Sequence, residues 1–524
     1  MIGKVELTMN IDDKKKKILS SLAIKPESAI KCHQQDSYVT DESNEINNYR
    51  TIFMSDRDRI LYCKAFLRLA GKTQVYVFGT GDHQRTRLTH TLEVAQIART
   101  ISQALNLNCD LTEAIALGHD IGHTPFGHAG EQMLHEIMSP KKEDNYNAPK
   151  RTAIYVLTDQ EADTYQSLFG FKHNLQSVRY LVEDLESRQE NYGLDLTNYT
   201  LWGIMNHSSL TYKENKVHTD NLVPSFYRKY ERYCGIGTGQ PAWSFEALIV
   251  AEADEIAQMH HDLEDAIRMR AVTKEKIINT LKKLYDLMDT TDQNTIKNLE
   301  KEKWISRERL ISKTSKIIVN TLVTTLLIAS CDNLYELLKK YATQELEENA
   351  SEEEQMKVYN QASTQILNKC YKDPEIANAI SYDTYGTTKN TNIIREFQDT
   401  ISKAVINTYD VQRSDSKGKY IIKNLFEAYN TNPQQLPDSA LKNLYKILKE
   451  DGFNFIQDNN KDPFTIENDE LRYIIDEAIS VIRGNNPNRE IDKRRDILIM
   501  RIICDYIAGM TDNFAISEYK KLYG

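Results

Sequence analysis

The chain is short of the features that would send it outside the cell, into a membrane or onto nucleic acid. Its seven cysteines, Cys32, Cys63, Cys109, Cys234, Cys331, Cys370 and Cys504, are odd in number and form no C-x-x-C pair, so neither a disulfide framework nor a cysteine-based zinc site is expected. No apolar core behind a basic patch opens the chain, and the most apolar stretch, Ile317 to Ala329, is interrupted by Asn320 and carries threonines. A cytoplasmic protein without a membrane partner is therefore expected. Basic excess is also missing: 66 Lys and Arg stand against 76 Asp and Glu, a formal charge of −10. That balance disfavours a dedicated nucleic-acid binder, although a local basic groove is compatible with it. Anionic ligands would be drawn by local charge and metal.

At 524 residues the chain exceeds what one hydrophobic core ordinarily supports, so two closely joined domains, or one core with a large elaboration, are expected. Residues 1–50 are polar, with the run Lys14 to Lys17, and read as an N-terminal arm that orders against a partner subunit or the main body, or stays solvated. From 51 to 270 apolar residues recur at helical spacing with Gly and Pro in the gaps, which marks the chemical half. Within it, 139–169 reads as an insert holding one strand-like run, Ala153 to Leu157, as a hairpin or lid. Residues 271–524 read as a charged helical region packing back on the core, with an acidic patch at Glu345 to Glu354 on a solvated loop or exposed helix. The fold class expected is all-α: a helical core, a largely helical C-terminal elaboration and a small β-hairpin insert.

Three helices carry the chemistry. Asp110-Leu-Thr-Glu113 has the form of an N-cap with a reciprocal carboxylate, so a helix is expected from Leu111 into His119-Asp120. Another, from about Thr89, places Val94, Ile97, Ile101 and Leu105 on one face, with His90 in its first turn on that side. A third, from about Trp243 to Ile267, sets Asp254, Gln258, His261, Asp262 and Asp265 along one polar stripe. Core helices do not turn carboxylates inward without a cation or ligand to meet them.

His90, His119, Asp120 and Asp254 therefore offer two imidazoles and two carboxylates from three segments. The mixed set suits one divalent ion, manganese, iron, cobalt, nickel or zinc, better than a bare magnesium site, with manganese and magnesium the ions to use in assay. Open positions on such an ion would take water and a phosphate oxygen. Any of these histidines alone would more often be a hydrogen-bonded core or surface residue; the joint pattern points to metal. His128 and Glu131, three apart, can share a helical face, and a carboxylate set on an imidazole is a proton-transfer pair. A surface carboxylate beside a loop histidine is the plainer alternative. His135 reads as structural.

The run from His119 to Glu131 stands with Asp56-Arg-Asp-Arg-Ile60, Lys64 to Leu69, Lys72-Thr-Gln-Val75, Gly81 to Ala95, Lys172 to Ser177, Ala253-Asp-Glu-Ile256 with His261-Asp262, and Asp505 to Asp512. Together they resemble the bacterial dGTPase branch of the HD-domain deoxynucleoside triphosphate triphosphohydrolases, densely from Ser55 to Arg270 and thinly beyond. The resemblance implies an HD-domain helical core that hydrolyses a dNTP, dGTP first, at the α-phosphorus, releasing deoxynucleoside and inorganic triphosphate. By the same resemblance, metal on His90, His119, Asp120 and Asp254 binds an α-phosphate oxygen, and His128 with Glu131 assists departure of the sugar 5′ oxygen. His123 and His173 contact the phosphates, Gln74 reads the 3′-hydroxyl, Arg87 clamps a phosphate oxygen, Asp262 approaches the sugar, and Arg228 or Lys229 holds the β- or γ-phosphate. It also implies a homo-oligomer, hexamer or tetramer, under allosteric control, with a nucleotide effector and single-stranded DNA as candidate partners.

Gln258 stands where family members often carry an aromatic, so sugar packing there is expected to differ. The 139–169 insert reads as a gate or as a passive loop, and the Asp505 to Asp512 motif as a segment that completes the base pocket or a subunit contact. Two rival readings stay open: another HD-type phosphohydrolase or phosphodiesterase, and a non-catalytic nucleotide-sensing or single-stranded-DNA-binding oligomer.

Overall fold

The computed structural model describes residues 13–32, 49–74, 85–139, 141–142, 156–157, 165, 168–183, 193–208, 230, 232, 242–342, 351–455, 465–484 and 489–524. Among them the fold is all-α. The helices that position the site are α1 (Ile52–Leu61), α2 (Arg87–Ala104), α3 (Cys109–Gly118), α4 (Gly127–Ile137), α5 (His173–Val182), α6 (Asn198–Asn206) and α7 (Phe245–Arg268). Within the insert, β1 (Lys141–Lys142) and β2 (Val156–Leu157) pair in parallel. The expected hairpin is thereby corrected, since a tight turn joins only antiparallel strands and parallel partners need a crossover.

α3 is the centre of the catalytic half. Leu111, Ala114, Ile115, Ala116 and Leu117 are all buried, and a helix apolar around its last two turns must be covered on every side there: α1, α2, α6 and α7 all pack on it. Its start differs from the expectation. Asn108 is the N-cap, its Oδ1 accepting from the N–H groups of Asp110 and Leu111; Asp110 sits in the first turn, its carboxylate accepting from the Thr51 hydroxyl. Asn caps as well as Asp, and the earlier cap lengthens the helix. α2 also begins early, at Arg87, with Thr86 as its cap. Its inward face is Val94, Ala95, Ala98 and Ile101, with Ile97 half-buried at the margin. α7 is capped by Ser244.

The C-terminal half continues with α8 (Arg307–Tyr341), α9 (Lys389–Ile406), α10 (Tyr409–Thr431), α11 (Asp438–Glu450), α12 (Arg489–Ala508) and α13 (Asp512–Tyr523). Among the described residues α8 is the one helix long and apolar enough to cross a membrane, but 61% of its most apolar window is buried; it packs on α7. α9 covers α7 beside it, while α10 runs onto α4 and meets α12 and α13. Two apolar cores result. One gathers α1, α2, α3, α6, α7, α8 and α9; the other gathers α4, through Met133, Leu134 and Ile137, with α10, α11 and α12. Ile18, Leu19, Leu22 and Ile24 join the first core, and the Ile24 N–H donates to buried Glu246, so the described part of the N-terminal arm orders against the main body.

Charge also joins the halves. Asp505 of α12, buried, accepts from Gln176 and from buried Arg179 of α5; Arg179 also donates to the Tyr230 hydroxyl and lies beside half-buried Glu183, both at 3.4 Å. Removing the carboxylate takes the shortest of these contacts from a guanidinium held away from water, a loss on the order of 3 kcal/mol. Asp505→Ala is therefore expected to lower the urea midpoint substantially, and an unchanged midpoint would show that solvent already reaches Arg179.

Candidate active site

Helix α3 ends by delivering His119. The ring Nδ1–H donates to the Ala116 carbonyl at 2.6 Å, because a carbonyl can only accept. That commits a hydrogen to Nδ1 and leaves Nε2 turned into the group, fully buried and without a hydrogen-bond partner among the described residues. Around it stand the other expected ligands. His90 Nε2 lies 3.0 Å from Asp254 Oδ1 and 3.8 Å from Asp120 Oδ2; His119 Nε2 lies 3.5 Å from Asp120 Oδ1 and 3.9 Å from Asp254 Oδ1. Two ligands of one ion at about 2.0–2.2 Å sit up to about 4.4 Å apart; His90, His119 and Asp120 group closely enough that they could hold a metal ion, Asp254 stands beside both imidazoles, and the bound δ-nitrogen of His119 is the support such a ligand needs. Asp254 is 24% exposed whereas the other three are almost wholly covered, which opens the group to solvent on the α7 side.

Burial alone would push both carboxyls up. His119, His123 and Arg87 instead hold Asp120 well below the usual carboxylate range, and His90 with His119 does the same for Asp254. The turn after His119 lies tight against α5: a Cβ at Gly122 would sit 2.2 Å from the His173 carbonyl oxygen. Ser177 of α5 locks it, donating to the His119 carbonyl and accepting from the Gly122 N–H, both at 2.8 Å.

The Glu131 pairing is wider than the sequence pattern indicates. Glu131 is buried; Oε1 accepts from the N–H and the ring Nδ1 of His173 at 3.0 and 2.8 Å, and Oε2 faces His128 Nδ1 at 3.3 Å. His173, with Glu131 behind it, stacks on His123 at 3.8 Å, and His123 Nε2 is 3.2 Å from Asp120 Oδ1. The His128 side chain is 79% exposed, at the rim. Burial would raise Glu131, but His173 and His128 hold it well below the carboxylate range; burial, then Arg87 and His173, push His123 well below the usual imidazole value.

On the other flank Gln74 donates to Gln258 at 3.3 Å and Gln258 to Asp262 at 2.8 Å, so three of the residues singled out form one hydrogen-bonded chain. Arg87 is buried under the group and donates to Asp120 Oδ2 at 2.6 Å; its Nη2 has no partner among the described residues. Its immediate partner is thus a carboxylate of the cluster. His261 leaves the polar stripe, turning to Glu93 at 2.6 Å and Arg85 at 2.7 Å with its ring against His90. Arg228 and Lys229 lie outside the described residues.

His207 escaped the sequence reading. It follows α6, its Nδ1–H donates to the Ile204 carbonyl at 2.8 Å, and its Nε2 is 3.4 Å from His173 Nε2. The ring packs on His119 and is pushed down to about 3 by burial and by His119 and His173. The available signal was a histidine closing an apolar helix and returning Nδ1 to the carbonyl three residues back, as His119 does.

The HD domain family matches residues 87–259, a span that contains His90, His119, Asp120 and Asp254. The phosphohydrolase-associated domain matches residues 387–451 and 485–521. Over 477 residues the chain is 32% identical to the deoxyguanosinetriphosphate triphosphohydrolase-like protein of Rickettsia bellii, covering 91% of this chain and 92% of that one. The similarly named protein of Geobacter sulfurreducens is 28% identical over 485 residues, 91% and 90% of the two chains. That of Caldanaerobacter subterraneus is 42% identical over 228 residues, 44% of this chain and 49% of the other.

Two outcomes follow for the isolated protein. His119→Ala is expected to weaken Mn²⁺ binding in equilibrium dialysis by more than about 100-fold, and an unchanged affinity would remove His119 from the ligand set. Burial holds Asp262 up at about 6 against hydrogen bonds from Gln258 and Ser402 that lower it. With its folded value raised, the carboxyl's contribution is fully present below about pH 4 and is lost as pH rises through about 6. Relative to Asp262→Asn, the wild type is expected to lose about 3 kcal/mol between about pH 4 and pH 7; parallel stability profiles would contradict it.

Proposed function

The chain belongs to the deoxyguanosinetriphosphate triphosphohydrolase-like family of HD-domain phosphohydrolases, and from that membership we propose that it hydrolyses deoxynucleoside triphosphates to deoxynucleoside and inorganic triphosphate. dGTP is the first substrate to test, as in the names of the relatives. The observation that carries the reading is the buried Nε2 of His119, without a hydrogen-bond partner among the described residues and grouped with His90, Asp120 and Asp254.

His90, His119, Asp120 and Asp254 would hold one divalent ion, manganese or magnesium in assay. A divalent ion there supplies a Lewis acid for an α-phosphate oxygen and lowers the pKa of a water poised for in-line attack. His123 and His173, stacked beside Asp120, would contact the phosphate oxygens and, when protonated, donate to them as they gain charge. Arg87 holds Asp120 in place and keeps Nη2 for the same anion. Glu131 fixes the His173 tautomer and faces His128. His128, at the rim, would give its proton to the departing 5′ oxygen. Gln74, Gln258 and Asp262, already linked, would take the sugar, and amide in place of aromatic at Gln258 leaves recognition there to hydrogen bonds. The reading extends to assembly as a homo-oligomer, which the mass in solution tests.

Purified protein incubated with each dNTP and GTP in Mn²⁺ and in Mg²⁺, with products separated by anion exchange, is expected to yield triphosphate and nucleoside from at least one dNTP. Asp120→Ala should yield neither. Monophosphate or orthophosphate would move the chain to another phosphohydrolase chemistry, and nucleotide binding without turnover to a sensor.

A further inference from the structure

Behind the candidate catalytic histidines three segments remote in sequence meet: 72–74, 123–127 and 508–512. Asp512, the first residue of α13, is buried. Its Oδ1 accepts from the Phe126 N–H and its Oδ2 from the Thr73 N–H, both at 2.9 Å. Close by, Lys72 Nζ donates to the carbonyls of both His123 and Ala508. One carboxylate and one ammonium therefore bind the two walls of the site to the same C-terminal segment, through charge-assisted bonds of the stronger kind.

The wall at 123–127 needs such a hold. Phe126 has φ 62° and ψ 24°, the left-handed region, and precedes α4 with no side-chain cap of its own. A bulky residue there costs about 1–2 kcal/mol, so the turn persists only because its surroundings impose it. Asp512 takes the Phe126 N–H, and α10 presses on the same residue: a Cβ at Gly418 would stand 2.8 Å from the Phe126 Cβ. Phe126 separates His123 from His128 and Glu131, so its backbone angles set how those groups face one another. Thr73, the other partner, is followed directly by Gln74.

We propose that Asp512 is a positioning residue. Its carboxylate holds the Phe126 turn and the Thr73–Gln74 segment in one register, so that the His123, His128, Glu131 and His173 group and the Gln74 chain close on the same substrate. The inference rests on the triphosphohydrolase reading for its kinetic consequence, and on geometry alone for its structural one.

The test uses the full chain with Mn²⁺ and the best dNTP. Asparagine at 512 preserves shape but turns an NH₂ toward one of the two backbone N–H donors. Asp512→Asn is expected to lower kcat about tenfold, and Asp512→Ala further, since misplacement of about 1 Å costs up to about 100-fold. Bound Mn²⁺ per chain stays at the wild-type value. In a His128→Ala background the Asn substitution is expected to add little, because both changes act on one unit. Hydrogen exchange should quicken in peptides covering 123–131 and remain as in the wild type along α7. Wild-type kcat in Asp512→Asn, full additivity with His128→Ala, or kcat lost in step with metal and helical content would overturn the proposal. Should the Ala variant not fold, the Asn variant with native metal content carries the test. Should the wild type release no triphosphate, the functional reading falls instead, and unaltered exchange at 123–131 in Asp512→Asn would still overturn this one.

Discussion

Burying a carboxylate is the constraint around which the structure is organised. Asp120 lies almost out of reach of water, where an uncompensated charge is too costly to keep. Arg87 meets one of its oxygens from below, His119 and His123 flank the other, and Asp254 draws the same kind of support from His90. Compensation by imidazoles alone is incomplete, since His119 spends its δ-hydrogen on Ala116 and its buried Nε2 has no hydrogen-bond partner among the described residues. A divalent cation is the kind of partner that could complete it, and His90, His119 and Asp120 group closely enough to hold one.

The packing serves that requirement. α3 can end in His119 because α1, α2, α6 and α7 enclose it, and Gly122 and Ser177 let the following turn lie flush on α5. α4, which presents Glu131, belongs to the second core, so the His128 and Glu131 side of the site is built with the C-terminal helices and the His90, His119, Asp120 and Asp254 side on the first core. The contacts of Asp505, Asp512 and Lys72 are the places where those halves are tied. The phosphohydrolase-associated domain, matched over most of α9 to α13, is thus part of the architecture of the site.

What the residues could tell in advance followed from how local the cause was. His90, His119, Asp120 and Asp254 converge as their helical periods indicate, because apolar faces decide which side of a helix turns inward. The all-α class was readable for the same reason. The cap of α3 was misassigned because Asp110 and Asn108 both have cap chemistry and only the chain's path past Leu107 chooses between them. Glu131 was paired with His128 by spacing, yet its closer partner is His173, brought there by the packing of α5. No periodicity encodes that contact. His207 was missed because one histidine after an apolar helix looks like any core histidine until its neighbours are known. The role of Asp512 lay beyond reach for a similar reason, since its partners are Phe126 and Thr73, each hundreds of residues away.

The central claim is that water attacks the α-phosphorus of a dNTP held over the His90, His119, Asp120 and Asp254 group. The most direct measurement is hydrolysis of dGTP in H₂¹⁸O with Mn²⁺, with both products read by mass spectrometry. The account predicts the label in the inorganic triphosphate and none in the deoxynucleoside, because the P–O5′ bond breaks on the phosphorus side. Label in the deoxynucleoside hydroxyl, or labelled orthophosphate as the first product, would contradict it.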